Sequence, residues 1–403
     1  MFLKILNKYT YLVFILLLIN SIILESFLRW GEQYWRIFGM NTFNFIVVVY
    51  SPIILSFFIM IPFREKIFEN RLILFIILLY ALYQLFVNLP LTIINYAGHV
   101  GVKWISELSL RLSLLQIPLF YFFLFNGVKT ERLLLLFTIT SVLLIIFGIY
   151  NYFQGQYTLT NTGEIRILSA VTSIFFVITI FNHTKLLGAN KNNLLLVVLM
   201  LFGVVLTVHR SVYLTLIITI LIYIWIKYRG FGKIKIFLQS SALLMIIFSL
   251  LFLIPGVSEL FFSRAQTIFD IRDGNYYDRA LKNTLAFEMF LDNPINGTNL
   301  TGFYYNPAAV KAEEYWRPHN VIFEILPTQG IIGLFFIILI FSLIFRVAWR
   351  NINDRFTEMS FIVLIYYILL SLSNASFFYN SCTNVLTFFS ALILWRNKVL
   401  KTQ

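Results

Sequence analysis

The stretch HNVIFEILPTQGIIG, residues 319–333, opens with a histidine and an asparagine, runs on for nine residues, and then places Gly330 and Gly333 three apart at the foot of a long apolar run. Hydropathy alone gives a membrane segment no reason to begin this way. Two questions follow: where the bilayer lies along the chain, and what chemistry stands at its edge. Composition answers the first. With 60% hydrophobic, 18% aromatic and 12% charged residues in 403, the chain departs from soluble domains, in which the apolar share is nearer half and the charged share about a quarter. A bilayer core of roughly 30 Å takes about 20 apolar residues as a helix, whereas a membrane barrel reads as short alternating segments. Long unbroken apolar runs dominate here, so the chain reads as an all-α, polytopic integral membrane protein.

Apolar runs bounded by charged or turn residues predict about twelve helices, over 9–28, 43–61, 72–93, 112–125, 133–153, 167–181, 194–208, 211–226, 236–254, 330–345, 361–378 and 385–395. A cytoplasmic N-terminus puts 19 of the 31 Lys/Arg on the cytoplasmic side. Six of the remaining twelve lie in one long loop, 255–318, between helices nine and ten, where the charge rule for short loops has little force. Both termini are then expected in the cytoplasm and the long loop outside. Residues 1–403 read as a single membrane domain, with 319–345 as the region of the tenth helix. Lys4 and Lys8 precede an apolar run with no small-x-small cleavage site after it, which is expected to stay as the first span.

The net charge of +13 is scattered in short clusters between apolar runs, which fits membrane topology and argues against a nucleic-acid partner. A single cysteine, Cys382, excludes an intramolecular disulfide, and no Cys/His cluster has metal-ligand spacing, so neither metal nor cofactor is expected.

Topology also sorts the polar residues. His183 falls on the cytoplasmic side, whereas His99, His209 and His319 fall outside, as do Arg166, Arg210, Arg264, Arg272, Arg279 and Arg317. A cation near membrane depth costs about 2.5–3.5 kcal/mol on insertion scales, so Arg210, in a very short turn between two helices, calls for an anion or a cavity. The alternative is that it caps a hairpin and snorkels to lipid phosphate. Glu107 and Arg111, one turn apart, read as a self-neutralising pair, and Glu25 as an acid that reaches water. In the long loop, Leu281, Leu285 and Met289 predict an amphipathic helix capped by Asp278 and stopped at Asn293-Pro294, with Arg279 in its first turn. Tyr304, Tyr305, Tyr315 and Trp316 add aromatic surface that suits either a membrane interface or sugar stacking.

His319-Asn320, nine residues, then Gly330-x-x-Gly333 resembles the H[N/S/Q]-x9-G-x-x-G signature of the O-antigen ligase and polymerase superfamily. An arginine starting a loop helix that ends in N-P-x-x-G, here Arg279 to Gly297, resembles the segment before that signature, and Arg210 stands in the expected outer turn. The chain departs from the pattern at Thr298-Asn299, where relatives often carry a second glycine. The resemblance implies a metal-independent, inverting glycosyltransferase of the bacterial inner membrane, with its site facing outward. The donor would be an undecaprenyl-diphosphate-linked glycan. The acceptor would be a lipid A-core sugar for a ligase, the slightly preferred reading, or a lipid-linked repeat unit for an O-antigen or capsule polymerase.

In that reading His319 accepts the acceptor hydroxyl proton and Arg210 and Arg279 hold the diphosphate. Asn320, Gly330 and Gly333 support the motif, the glycines by letting the helix pack closely on a neighbour. His209, Arg166, Arg264, Arg272 and Arg317 are further candidates. A polysaccharide flippase or transporter would also have about twelve spans, but it should show repeat symmetry and broken helices at matching positions, which the sequence lacks.

Overall fold

A computed structural model describes residues 70–96, 108, 111–125, 129–153, 165–183, 191–206, 210–227, 274–298, 318, 320–373 and 380–402. Among these there is no strand. Helix α1 (Arg71–Tyr83) continues through a π-helical turn (Gln84–Asn88) into α2 (Leu89–Tyr96), and a 3-10 turn (Leu112–Leu115) leads into α3 (Gln116–Phe125). Then come α4 (Thr130–Phe153), α5 (Ile165–His183), α6 (Lys191–Leu206), α7 (Arg210–Lys227), α8 (Gly274–Asp292), α9 (Val321–Arg350), α10 (Arg355–Ser373) and α11 (Asn380–Thr402). The segments Arg71–Ile94, Val321–Arg350 and Arg355–Ser373 are long and apolar enough to cross a membrane, and shorter apolar helices cover Leu112–Phe125, Ser173–Asn182, Leu195–Val204 and Ser211–Lys227. The protein is a helical integral membrane protein.

The expected spans 9–28, 43–61 and 236–254 lie outside the described residues, and each of the other nine overlaps a described helix. Two of them differ in extent. The tenth begins at Val321, not Gly330, because Thr328 and Gln329, which break the hydropathy pattern, are buried inside the protein. The last runs from Asn380 to Thr402, past the apolar stretch, because the basic residues that follow are good helix formers.

The helices form two compact units. In the first, α9 packs against α1 and α11, and α11 lies along α3. Phe336 of α9 sits between Tyr80 and Tyr83, 6.0 Å from each ring. Phe120 meets Phe388 edge-on at 5.9 Å, and the Thr387 hydroxyl donates to Gln116 Oε1 at 3.2 Å. At the α9–α10 turn, Asp354 Oδ2 accepts from Arg396 Nε (3.0 Å) and from the Thr357 N–H (3.0 Å) and hydroxyl (2.9 Å), while Oδ1 pairs with Arg396 Nη2. Burial alone would raise the Asp354 carboxyl, but donation from Arg396 and Thr357 outweighs it and holds the group below its ordinary value. The second unit packs α5 between α4 and α6, with α7 against α5 and α6. Ser141 and Thr179 share a hydroxyl hydrogen bond of 2.9 Å, and Tyr366 donates to Ser173 Oγ at 2.8 Å.

Candidate functional site

The signature helix starts at a well-made cap. Asn320 is extended (φ −147°, ψ 127°), and its Oδ1 accepts the Ile322 N–H at 2.8 Å. This satisfies one of the donors that any helix start leaves open and fixes the helix beginning at Val321, directly after Asn320. His319 itself lies outside the described residues.

Nine residues below the cap the helix breaks. Pro327 has no N–H to give to the preceding turn, and Gly330 leaves helical space altogether, at φ 64° and ψ −167°, a region essentially closed to other residues. Inside a membrane protein, broken backbone needs new partners. The turn 293–298 after α8 supplies them. The Pro294 carbonyl accepts from Ile331 N (2.9 Å), the Ile295 carbonyl accepts from Ile332 N (3.3 Å), and Thr298 donates to the Pro327 carbonyl through both its N–H (2.7 Å) and its hydroxyl (3.0 Å). The Thr298 hydroxyl thereby contributes a bond that a glycine there would lack. The approach is so close that a Cβ on Gly330 would sit 2.1 Å from Ile295 O, and one on Gly297 (φ 73°) would sit 2.5 Å from Gln329 N. The close approach expected of the glycines is made by Gly330, to the turn 293–298. Gly330 makes the break, and at Gly333 a Cβ would lie 2.2 Å from Gln329 Cβ, in the space that the Gln329 side chain fills.

The loop helix α8 also differs from expectation. It begins at Gly274, four residues before the predicted Asp278 cap, since no proline or glycine interrupts residues 275–278. Arg279 thus falls on the second turn, beyond the free N–H groups of the first. Met289 and Ala286 are buried with Phe323 of α9 against them, so the expected apolar face exists in its lower half, whereas Leu281 is exposed.

A buried polar seam joins α1, α9 and the segment before α3, and its extent was not legible in the sequence. Arg111 pairs with Glu324 at 3.6 Å, both side chains 1% exposed. The expected partner, Glu107, lies outside the described residues; the long-range partner sits within the signature itself. Gln329 Oε1 accepts from the Tyr80 hydroxyl (2.9 Å) and from Gln84 Nε2 (2.8 Å), and Asn88 Nδ2 donates to Gln84 Oε1 (2.9 Å). The Tyr83 hydroxyl contacts the Gln329 carbonyl (2.7 Å) and that of Asn296 (3.3 Å). Gln84 and Asn88, four apart in an apolar run, were the available signal, as was an acid inside the motif.

Among the site residues expected from sequence, Asn320, Gly330 and Gly333 share α9, and α8, which carries Arg279, is joined to α9 through the turn 293–298. Arg210 is the first residue of α7 and Arg166 the second of α5, both in the second unit. His209, Arg264, Arg272 and Arg317, and the aromatics Tyr304, Tyr305, Tyr315 and Trp316, lie outside the described residues. Among the described residues no three His, Cys, Asp or Glu side chains group as a metal site. Residues 195–338, from α6 to the middle of α9, match a family model described as O-Antigen ligase. No curated protein matches the chain.

Proposed function

We propose, from the match of residues 195–338 to a family model described as O-Antigen ligase, that the chain transfers a glycan from undecaprenyl diphosphate to a sugar hydroxyl at the outer face of the bacterial inner membrane. The observation that carries the reading is that one matched segment encloses Arg210, Arg279, His319 and the glycine pair. His319 takes the proton of the acceptor hydroxyl, whose oxygen attacks the anomeric carbon. The bond from that carbon to the diphosphate oxygen breaks, and the configuration inverts. Undecaprenyl diphosphate leaves with the bonding pair, its charge met by Arg210 and Arg279. Charge-assisted contacts to phosphate and a positioned base supply what the step needs, so no divalent metal enters it. Ligation to a lipid A-core acceptor is preferred over polymerisation of repeat units because the matched family is described by that activity.

The test is transfer from an undecaprenyl-diphosphate glycan by purified protein and by His319→Ala. The variant should insert and fold normally yet transfer nothing; wild-type rates in it refute the assignment. Gene deletion then separates the two activities. Loss of long surface chains with free lipid-linked polymer means ligase, and chains capped at one repeat mean polymerase.

A further inference from the structure

We infer that Gln329 is a positioning residue for glycan transfer, the pin of a short lever whose far end carries Asn320 and His319; the inference rests on the function proposed above. The break at Gly330 separates the first part of α9 from the membrane-crossing remainder, so the ladder of helical hydrogen bonds does not carry the direction of one into the other. Side contacts must fix the upper segment instead. Two of them act near its outer end, the Arg111–Glu324 pair and Phe323 against Ala286 and Met289. At the pivot itself, Gln329 bonds α1 through both side chain and main chain. Its Oε1 takes Tyr80 and Gln84, and its carbonyl takes Tyr83, whose hydroxyl also reaches Asn296 of the docked turn. Three elements therefore meet on one residue, in a dry environment where hydrogen bonds are strong and rotamers are held. The Gln329 side chain also fills the space beside Gly333, which seats it in a single position.

The lever amplifies error. From Gln329 to Asn320 is nine residues, about 13 Å at the helical rise, so a tilt of roughly 5° at the pivot moves the capped end by about 1 Å. A misplacement of that size in a catalytic group can cost on the order of 10² in rate. Substrate contacts made elsewhere would change little, so the loss belongs in kcat and not in KM.

The experiment compares wild type, Gln329→Met, Gln329→Glu and Tyr80→Phe for transfer from an undecaprenyl-diphosphate glycan, each purified as a folded, monodisperse fraction. Methionine keeps the length and removes both polar atoms, and kcat should fall about 10²-fold with donor KM within about threefold. Glutamate, protonated in this dry site, keeps an oxygen that accepts from Tyr80 and Gln84, and should recover most of the rate. Tyr80→Phe deletes a single bond and should cost about tenfold. Wild-type kcat in folded Gln329→Met overturns the inference, as does a loss confined to yield and melting temperature. Should Gln329→Met not fold, an unchanged kcat in Tyr80→Phe overturns it and a selective kcat loss there supports it. Absence of transfer by wild-type protein instead refutes the parent function, and the inference with it.

Discussion

Replacing Gly330 by alanine tests the interlock between the turn 293–298 and the broken helix. Two costs can be read from the structure. At φ 64° and ψ −167° a side chain is strained by about 1–3 kcal/mol. The new Cβ would also lie 2.1 Å from Ile295 O, 2.4 Å from its carbonyl carbon and 2.6 Å from Asn296 N. These are main-chain atoms with no rotamer to escape into, so the turn itself must retreat. Retreat breaks the bonds from Ile331 N to Pro294 O and from Ile332 N to Ile295 O, at about 0.5–1.5 kcal/mol each. The expected loss is therefore about 2–6 kcal/mol, which for a chain of this length lowers the melting temperature by about 2–7 °C. Gly297→Ala attacks the same contact from the other side, with its Cβ 2.5 Å from Gln329 N and Thr328 C, and should cost a similar amount. Because both lose one interlock, the double variant should be clearly less damaged than the sum of the singles. The assay is thermal unfolding in detergent of the four proteins. A melting temperature for Gly330→Ala within 1 °C of wild type (about 1 kcal/mol), or strictly additive losses, refutes the interlock.

Arg210→Lys and Arg279→Lys should each lose much of the transfer rate, and the alanine variants nearly all of it, because a lysine cannot reproduce bidentate contacts to phosphate; wild-type transfer by Arg210→Ala would make that residue a lipid snorkel. Breaking the buried pair in Arg111→Met or Glu324→Met should destabilise by about 3–5 kcal/mol, and the double Met variant by less, as a double-mutant cycle of melting temperatures will show; strictly additive losses would remove the pair from the stability argument. The Asp354 carboxyl sits below its unfolded value when folded, so its stabilising contribution is present above the ordinary carboxylate range and is lost as pH falls through the folded value. Asp354→Asn should therefore flatten the acid limb of a stability–pH curve, and an unchanged limb would contradict the assignment. EDTA should leave transfer undiminished, whereas loss restored by Mg²⁺ would call for a metal in the step.

Hydropathy was enough to find the class of fold, because a span declares itself through twenty apolar residues regardless of what it packs against. It was not enough to find where α9 begins. Thr328 and Gln329 look like a boundary on any hydropathy scale, yet both are fully buried, the Thr328 hydroxyl bonded to the preceding turn and Gln329 Oε1 to Tyr80 and Gln84. Local pattern likewise could not find the long-range partner of Arg111. Glu107 is near in sequence and at helical spacing, whereas Glu324 is 213 residues away and becomes a neighbour only when α9 folds down beside the segment before α3. Such pairings are properties of tertiary structure, and a period of 3.6 carries no information about them. The amphipathic helix of the loop was visible because three apolar residues repeat at fourfold spacing. Its start was not, since Asp278 is as acceptable inside a second turn as it is at a cap.

The spacing of the signature follows from the same geometry. Two pieces of backbone must meet, a helix break that leaves N–H and carbonyl groups open within the protein and a turn that offers the complementary groups. Only glycine at both contact points permits that distance, which accounts for Gly297 and Gly330 as one physical requirement written in two motifs 33 residues apart. The nine residues between Asn320 and Gly330 then fix both the height and the direction of the capped end. One residue more or less would turn that end by about 100° around the helix axis and shift it by about 1.5 Å, while the break, held by the turn and by Gln329, would stay where it is. Asn320 would then stand on another side of the helix. A fixed count between Asn320 and the first glycine is what a capped segment pinned at its lower end requires if that end is to keep its height and direction, and a helix serving only to cross the bilayer would place no such limit on its length.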